Sequence, residues 1–263
     1  MPAPWFEDEI AAAVAPVLPG FSVEVFPEID STNSELMRRA REGRSQPVLL
    51  VAERQTAGRG RMGRDWQSAQ QRDDPASLTF SLGLPLAPKD WSGLSLAVGV
   101  SVAESLDPSN TAGVALKWPN DLWVDDCKLG GILIETALPQ AQVADRYLVI
   151  GIGINIGPRE AAGLRIAPAW LQQWRPQATA AEVLREIVVP LASQVRLFGE
   201  RGFVPFAERF AARDILRDRD VTLSDGTTGR CEGVGWGGEL LVRTASGLKT
   251  ITSAEVSVRP RAP

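Results

Sequence analysis

The sequence predicts an α+β protein with a compact β module at its C-terminus. Over most of the chain, short apolar strand-like runs alternate with amphipathic helical stretches. After about residue 215 the pattern becomes short strands separated by Asp-Gly, Gly-Gly and Ser-Gly turns, in "VTLSDGTTGRCEGVGWGGELLVRTASGLKTITSAEVSV". At 263 residues, with 44% hydrophobic and 23% charged side chains, the chain is long enough for a large core and a small second unit. The expected division is residues 1–214 and 215–263.

"FSVEVFPEI" (21–29) reads as a strand. It leads into "DSTNSELMRRAREG", a helix opened by a capping box, Thr32-x-x-Glu35, and closed at Gly43. "PVLLVAERQ" (47–55) and "LTFSLGLPL" (78–86) are further strands, followed by an apolar helix over 92–106. Residues 114–138 hold two or three strand segments around a turn at Asp125-Asp126. "YLVIGIGINI" (147–156) is apolar nearly throughout, as a central strand must be. Residues 179–213 are helical, opening with a second capping box, Thr179-x-x-Glu182, and Pro190 is expected to kink or split them.

The net charge of −4 argues against a general nucleic-acid-binding surface but leaves room for a local basic pocket. The chain has no histidine. That removes Ser-His-Asp and Cys-His nucleophilic machinery and histidine-based zinc sites. Any chemistry must rest on Lys, Arg, carboxylates, backbone amides or an oxygen-ligated metal. Cys127 and Cys231 form no disulfide framework and read as reduced thiols of a cytosolic protein. The N-terminus is acidic where a secretion signal needs positive charge, and the apolar stretch at 91–103 is too short to span a bilayer. A soluble, cytoplasmic protein is expected.

"GRGRMGRDW" (58–66) satisfies the dinucleotide-loop pattern G-x-G-x-x-G. A dinucleotide turn must open a helix, however, and "DWQSAQQRDDPAS" has no helical apolar period and meets Pro75. The ribose-binding acid expected about 20 residues on is missing too. What stands out is charge: Arg54, Arg59, Arg61 and Arg64 crowd into eleven residues of an acidic chain. A polyphosphate relieves their mutual repulsion through charge-assisted hydrogen bonds. The glycines are expected to give this loop mobility, leaving it disordered without an anion and closed around one.

"KWPNDLWVDDCKLGGILIE" (117–135) places Lys117, Asn120, Asp121, Trp123 and Lys128 close together. If Asp125-Asp126 is a two-residue hairpin turn, Trp123 pairs with Lys128. Asp121 then lies diagonally beyond on the same face, about 7–8 Å away, with Gly130 beside them leaving room for a ligand. A surface salt bridge is the plain alternative. In 147–156, Gly151, Gly153 and Asn155 share one face, and two missing side chains leave a slot ending in an amide. Ligand approach and simple packing both explain such a glycine pair.

These segments, "DSTN" (30–33), "ERQTAGRGRMGRDW" (53–66), "KWPNDLWVDDCKLGGILIE" (117–135) and "GIGINI" (151–156), resemble the biotin protein ligases, the biotin–[acetyl-CoA-carboxylase] ligases, in order and spacing. The resemblance extends to "ITSAEVSVRP" near the C-terminus. It implies a class II synthetase-like mixed sheet with flanking helices and a small SH3-like β-barrel. It also implies formation of biotinyl-5′-AMP and pyrophosphate from biotin and ATP with Mg²⁺, then transfer of biotin to one lysine of a biotin carboxyl carrier domain.

By the same resemblance, Lys128 and Arg61 are the catalytic pair, Lys128 touching both the biotin carboxylate and the α-phosphate. Ser31, Thr32, Gln55, Arg59, Arg61, Lys128, Gly130 and Gly131 fall on the biotin side. Arg61, Arg64, Trp66, Lys117, Asn120, Lys128 and Asn155 fall on the nucleotide side, and Asp121 on the Mg²⁺ side. A lipoate or octanoate ligase of the same fold is the nearest alternative. Only about 20 residues precede the first strand, too few for the DNA-binding domain that some members carry, so DNA and membranes are not expected partners. Monomer and homodimer both remain open, as does the base that deprotonates the acceptor lysine.

Overall fold

The computed structural model describes residues 5–66, 77–137, 146–159 and 166–252, together with the backbone of 258–260. A seven-stranded mixed sheet organises the first part. Its strands are β1 (Ser22–Phe26), β2 (Val48–Ala52), β3 (Ser77–Leu86), β4 (Ala115–Lys117), β5 (Asp121–Val124), β6 (Cys127–Ala137) and β7 (Arg146–Asn155). They lie in the order β1-β2-β3-β7-β6-β5-β4. The β1–β2 pair is parallel and the remaining pairs are antiparallel. β7 is central and buried along almost its whole length, which is why it reads as continuously apolar.

The two faces of β7 are chemically different. Leu148, Ile150, Ile152 and Ile154 join the main core with α1 (Glu7–Val14), α3 (Leu94–Leu106) and α4 (Ala180–Arg201). Tyr147 and Val149 face the other way, into a smaller cluster with Leu36 and Ala40 of α2 (Thr32–Arg41). Gly151 and Gly153 follow on that second face, so the end of the sheet beside the start of α2 is left shallow.

Two helix expectations need correction. The α2 cap is Ser31, whose hydroxyl accepts from Ser34 N at 3.4 Å; Thr32 is already inside the helix. Its N–H, orphaned at a helix start, is taken by Gln55 Oε1 at 2.8 Å, and Glu35 pairs with Arg38 and Arg39 instead of closing a box. Pro190 does not split the second helical region. α4 runs unbroken through it for 22 residues, opened by the expected Thr179–Glu182 box and carrying ten buried side chains that hold it against the core. The short α5 (Ala207–Ala211) follows.

Strands β8 (Asp220–Leu223), β9 (Thr228–Val234), β10 (Leu240–Thr244), β11 (Gly247–Ile251) and β12 (Val258–Pro260) form a separate antiparallel sheet in the order β11-β10-β9-β8-β12. Its apolar side chains, among them Val221, Leu223, Leu240 and Val242, join the main core of the larger part, and polar contacts add to this. Trp118 donates its indole N–H to Gly238 O at 3.0 Å, and Arg219 pairs with Asp126 at the tip of the β5–β6 hairpin at 2.6 Å. No helix among the described residues is long and apolar enough to cross a membrane.

Asp214 sits at the junction of the two sheets, where its Oδ1 accepts from Leu216 N at 2.9 Å while Oδ2 is buried without a hydrogen-bond partner among the described residues. Burial pushes its carboxyl up to about 6. The folded state therefore holds a proton that the unfolded chain releases near pH 4, so this group favours folding as pH falls through 6 and opposes it above. Asp214→Asn keeps the acceptor and removes the charge. Urea unfolding should show the variant about 1–3 kcal/mol more stable than the parent at pH 8, converging toward pH 4. A constant difference across that range would mean that the ionised carboxylate is not the cause.

Candidate functional site

The site is built from one row of residues that crosses the large sheet on the α2 side. Thr79, Gly153, Gly131, Asp121 and Lys117 are consecutive cross-strand partners on β3, β7, β6, β5 and β4. Small residues in the middle and charged ones at the end give a trough with a polar wall. All five line a pocket, with the start of α2 on one side and the glycine–arginine loop beside it.

The Lys128–Asp121 pair forms as the hairpin reading requires. Asp125 and Asp126 take left-handed backbone angles (φ 48° and 59°), the geometry of a type I′ turn, which Asp tolerates better than most residues. Trp123 pairs with Lys128, and Lys128 Nζ lies 2.7 Å from Asp121 Oδ1. The register beyond it differs from a regular hairpin. A bulge at Leu129 shifts the ladder by one, so Asp121 opposes Gly131 and Leu122 opposes Gly130. Gly131 therefore stands beside the pair: a Cβ there would lie 3.4 Å from Lys128 Nζ and 3.6 Å from Asp121 Oδ1. Gly130, expected to make that room, faces away, and its missing side chain admits Gly153 O and Leu122. The cause lies in the backbone of Lys128. Its N–H donates to Ala167 O and its C=O accepts from Ala169 N, both at 2.9 Å, so a second chain segment grips it outside the hairpin ladder.

The glycine slot is also occupied by protein. A Cβ at Gly151 would meet the amide of Asn33, and one at Gly153 would meet the indole of Trp66. Packing thus explains both glycines, and the packed groups become the pocket wall. Asn155 is not part of the lining. Its Nδ2 donates to Ala169 O at 2.9 Å and Lys128 O at 3.2 Å, fastening the segment that grips Lys128. The indole N–H of Trp66 is buried with no hydrogen-bond partner among the described residues.

The arginines of the loop do not crowd together. Arg54 turns out of the pocket onto Glu28 at 2.6 Å. Arg59 reaches Glu135 at 2.7 Å, and Arg61 donates to Asn120 Oδ1 at 2.8 Å. Asn120 presents that oxygen because its Nδ2 is held by Ile132 O at 2.7 Å. Burial pushes the Arg61 guanidinium down from its ordinary value, opposed by Asp121 and assisted by Arg64. Lys117, nearly buried, lies 4.7 Å over the ring of Trp123. The loop's glycines serve its shape. Gly60 N–H donates to Arg64 O and Trp66 N–H to Gly58 O, closing a tight turn; Gly63 has φ 69°, and a Cβ on Gly58 would strike the Trp66 carbonyl. The segment expected to show no helix after the loop, 67–76, lies outside the described residues.

Of the residues singled out in the sequence, Ser31, Thr32, Gln55, Arg59, Arg61, Arg64, Trp66, Lys117, Asn120, Asp121, Lys128 and Gly131 converge on this pocket; Gly130 and Asn155 do not. Sequence reasoning passed over Thr79 and Ser81, although polar residues at alternating positions of an apolar strand were a usable signal. It also passed over Glu135 and the 167–169 clamp, which announce themselves in no local pattern.

Comparison with known proteins addresses what such a pocket belongs to. The model of the Biotin/lipoate A/B protein ligase family matches residues 25–155. The bifunctional ligase/repressor BirA of Escherichia coli is 34% identical over 251 residues, covering 92% of this chain and 75% of that protein. The chain belongs to the biotin protein ligase family. A biotin–[acetyl-CoA-carboxylase] ligase of Paracoccus denitrificans is 28% identical, over 86% of this chain and 96% of that one. A biotin protein ligase from Aquifex aeolicus, solved in complex with biotin and ATP, superimposes with a TM-score of 0.76 at 30% identity, covering 91% of this chain and 99% of that chain. The mixed sheet with flanking helices and separate β module is thus the fold of this ligase family.

The loop geometry yields a direct test. Gly58→Ala forces a methyl group against the Trp66 carbonyl, so the 58–66 turn should open while the core stays folded. Limited trypsin digestion should cleave after Arg59, Arg61 or Arg64 several-fold faster in the variant. Equal cleavage rates would show that the close approach at Gly58 does not hold the loop.

Proposed function

We propose that this pocket condenses biotin with ATP to biotinyl-5′-AMP and then passes the biotinyl group to a lysine of a biotin carboxyl carrier domain. The observation that carries this reading is the Lys128–Asp121 pair, at the end of a trough of small residues and flanked by Arg59, Arg61 and Arg64. In the first step a biotin carboxylate oxygen attacks the α-phosphorus, the bond to the β-phosphate oxygen breaks and pyrophosphate leaves. Both reactants are anions. Lys128 supplies a fixed ammonium between them, and Arg61 adds a second, partly desolvated charge. In the second step the acceptor amine, having lost a proton, attacks the biotinyl carbonyl carbon and AMP departs. Positioning and electrostatics suffice, which agrees with a chain without histidine.

Ser31, Thr32 and Gln55 form the wall assigned to the biotin ring, with Gly131 providing floor. Arg64, Trp66, Lys117 and Asn120 form the nucleotide side. Asn155 and Gly130 act from behind by fixing Lys128 and the sheet. Among the described residues no cluster of three His, Cys, Asp or Glu is present, so a structural metal cage has no support. Asp121, a single carboxylate, would help hold a Mg²⁺, which would supply neutralisation of phosphate charge.

Biotin-dependent exchange of labelled pyrophosphate into ATP tests the adenylation step. Lys128→Ala should lower the exchange rate by about a hundred-fold or more, the scale on which removal of one preorganised charge acts; an unaltered rate would remove Lys128 from the reaction. Titration calorimetry should give biotin binding and no comparable lipoate binding, and the reverse order would favour a lipoate ligase. Arg61→Gly should speed loss of preformed adenylate to solvent, read as a shortened lifetime on the protein.

A further inference from the structure

We infer that Glu135 is a positioning residue that sets the closed pose of the arginine loop by tying Arg59 to the pocket floor. This rests on the ligase reading above. Glu135 lies on β6 on the same face as Gly131, opposite Val149. Its Oε2 accepts from Arg59 Nη2 at 2.7 Å and from Asn33 Nδ2 at 2.9 Å. Asn33 sits in the space left by Gly151, and its Oδ1 accepts from the buried Ser81 hydroxyl at 2.6 Å. Ser81 Oγ is also 2.7 Å from Thr32 Oγ1, and Thr32 N–H is bound by Gln55. One carboxylate oxygen therefore joins the loop to a hydrogen-bonded chain that ends in the wall assigned to biotin.

Charge and placement explain why a carboxylate suits this position. Among the described residues the pocket lining holds Arg59, Arg61, Arg64, Lys117 and Lys128 against Asp65 and Asp121. Five cations so close together push the loop outward unless something draws it back. A carboxylate inside the trough would do so at the cost of repelling two anionic reactants. Glu135 is outside the lining, so it holds one corner of the Arg59 guanidinium from behind and leaves the trough cationic. Asn33 fixes where that carboxylate points, because both ends of its own amide are engaged.

Adenylate retention separates this role from a merely structural one. The full chain is compared as parent, Glu135→Gln, Arg59→Ala and the double variant, each loaded with biotin and ATP labelled at the α-phosphate. Glutamine keeps an oxygen for Asn33 and removes the charge. Release of biotinyl-AMP should be about three- to ten-fold faster in Glu135→Gln, in keeping with a half-exposed ion pair. The double variant should release it no faster than Arg59→Ala alone, since Glu135 acts through Arg59. Parent-like retention in Glu135→Gln, or multiplicative effects in the double variant, would overturn the inference. A second readout does not need the reaction: trypsin cleavage after Arg61 and Arg64 should rise several-fold in Glu135→Gln, and an unchanged rate counts equally against the tie. If the parent forms no adenylate, the ligase reading fails by itself and the cleavage comparison still decides the role of Glu135.

Discussion

One extra residue in β6 sets what stands beside the ammonium of Lys128 at the end of the trough. Leu129, fully buried, takes up the bulge, and because side chains alternate along a strand, the slip brings Lys128 and Gly131 onto a common face. The bulge persists because the backbone of Lys128 is claimed by a second partner. Residues 167–169 run alongside and saturate both its N–H and its C=O, and Asn155 binds that segment to the end of the central strand. The backbone of Lys128 is thus held by two backbone hydrogen bonds and by the Asn155 amide, while among the described residues its ammonium pairs with one oxygen of Asp121. A long, flexible side chain gains its precision from a rigid base.

The same economy governs the opposite wall. Gly151 and Gly153 are absent side chains that other residues fill, and the residues that fill them, Asn33 and Trp66, come from α2 and from the arginine loop. The sheet therefore sets the position of both walls by subtraction. A glycine row gives no binding chemistry of its own; it determines how near the polar groups of neighbouring elements can come. Around this floor the arginines are kept apart by separate acceptors, Glu28, Glu135 and Asn120, so that cationic side chains in one short loop can coexist in a folded acidic protein.

Much of this was legible along the chain. The long apolar strands, the α3 and α4 helices, the Asp-Asp hairpin and the turn-rich C-terminal sheet follow from period and turn chemistry, both of which are local. The Lys128–Asp121 pairing was legible for the same reason, since a two-residue turn dictates its partners. The α2 cap was misplaced because Ser31 and Thr32 are equivalent by local propensity, and only Gln55, arriving from the end of β2, decides which of them enters the helix. The split expected at Pro190 does not occur, because the buried face of α4 carries the helix through it.

What the sequence by itself determined is most of the elements, though not α1, together with the family they belong to and the residue types available for chemistry, because these are recorded in spacing and composition. What the tertiary structure decided is which of those residues face the trough. Gly130 and Gly131 are neighbours with the same side chain, yet one lies beside the lysine and the other behind the sheet. Asn155 carries an amide suited to a base, yet spends it on two carbonyl groups of the protein. Glu135 attracts no notice in the chain and nonetheless anchors the loop. Each outcome depends on a contact between segments far apart in sequence, and no local periodicity contains that information.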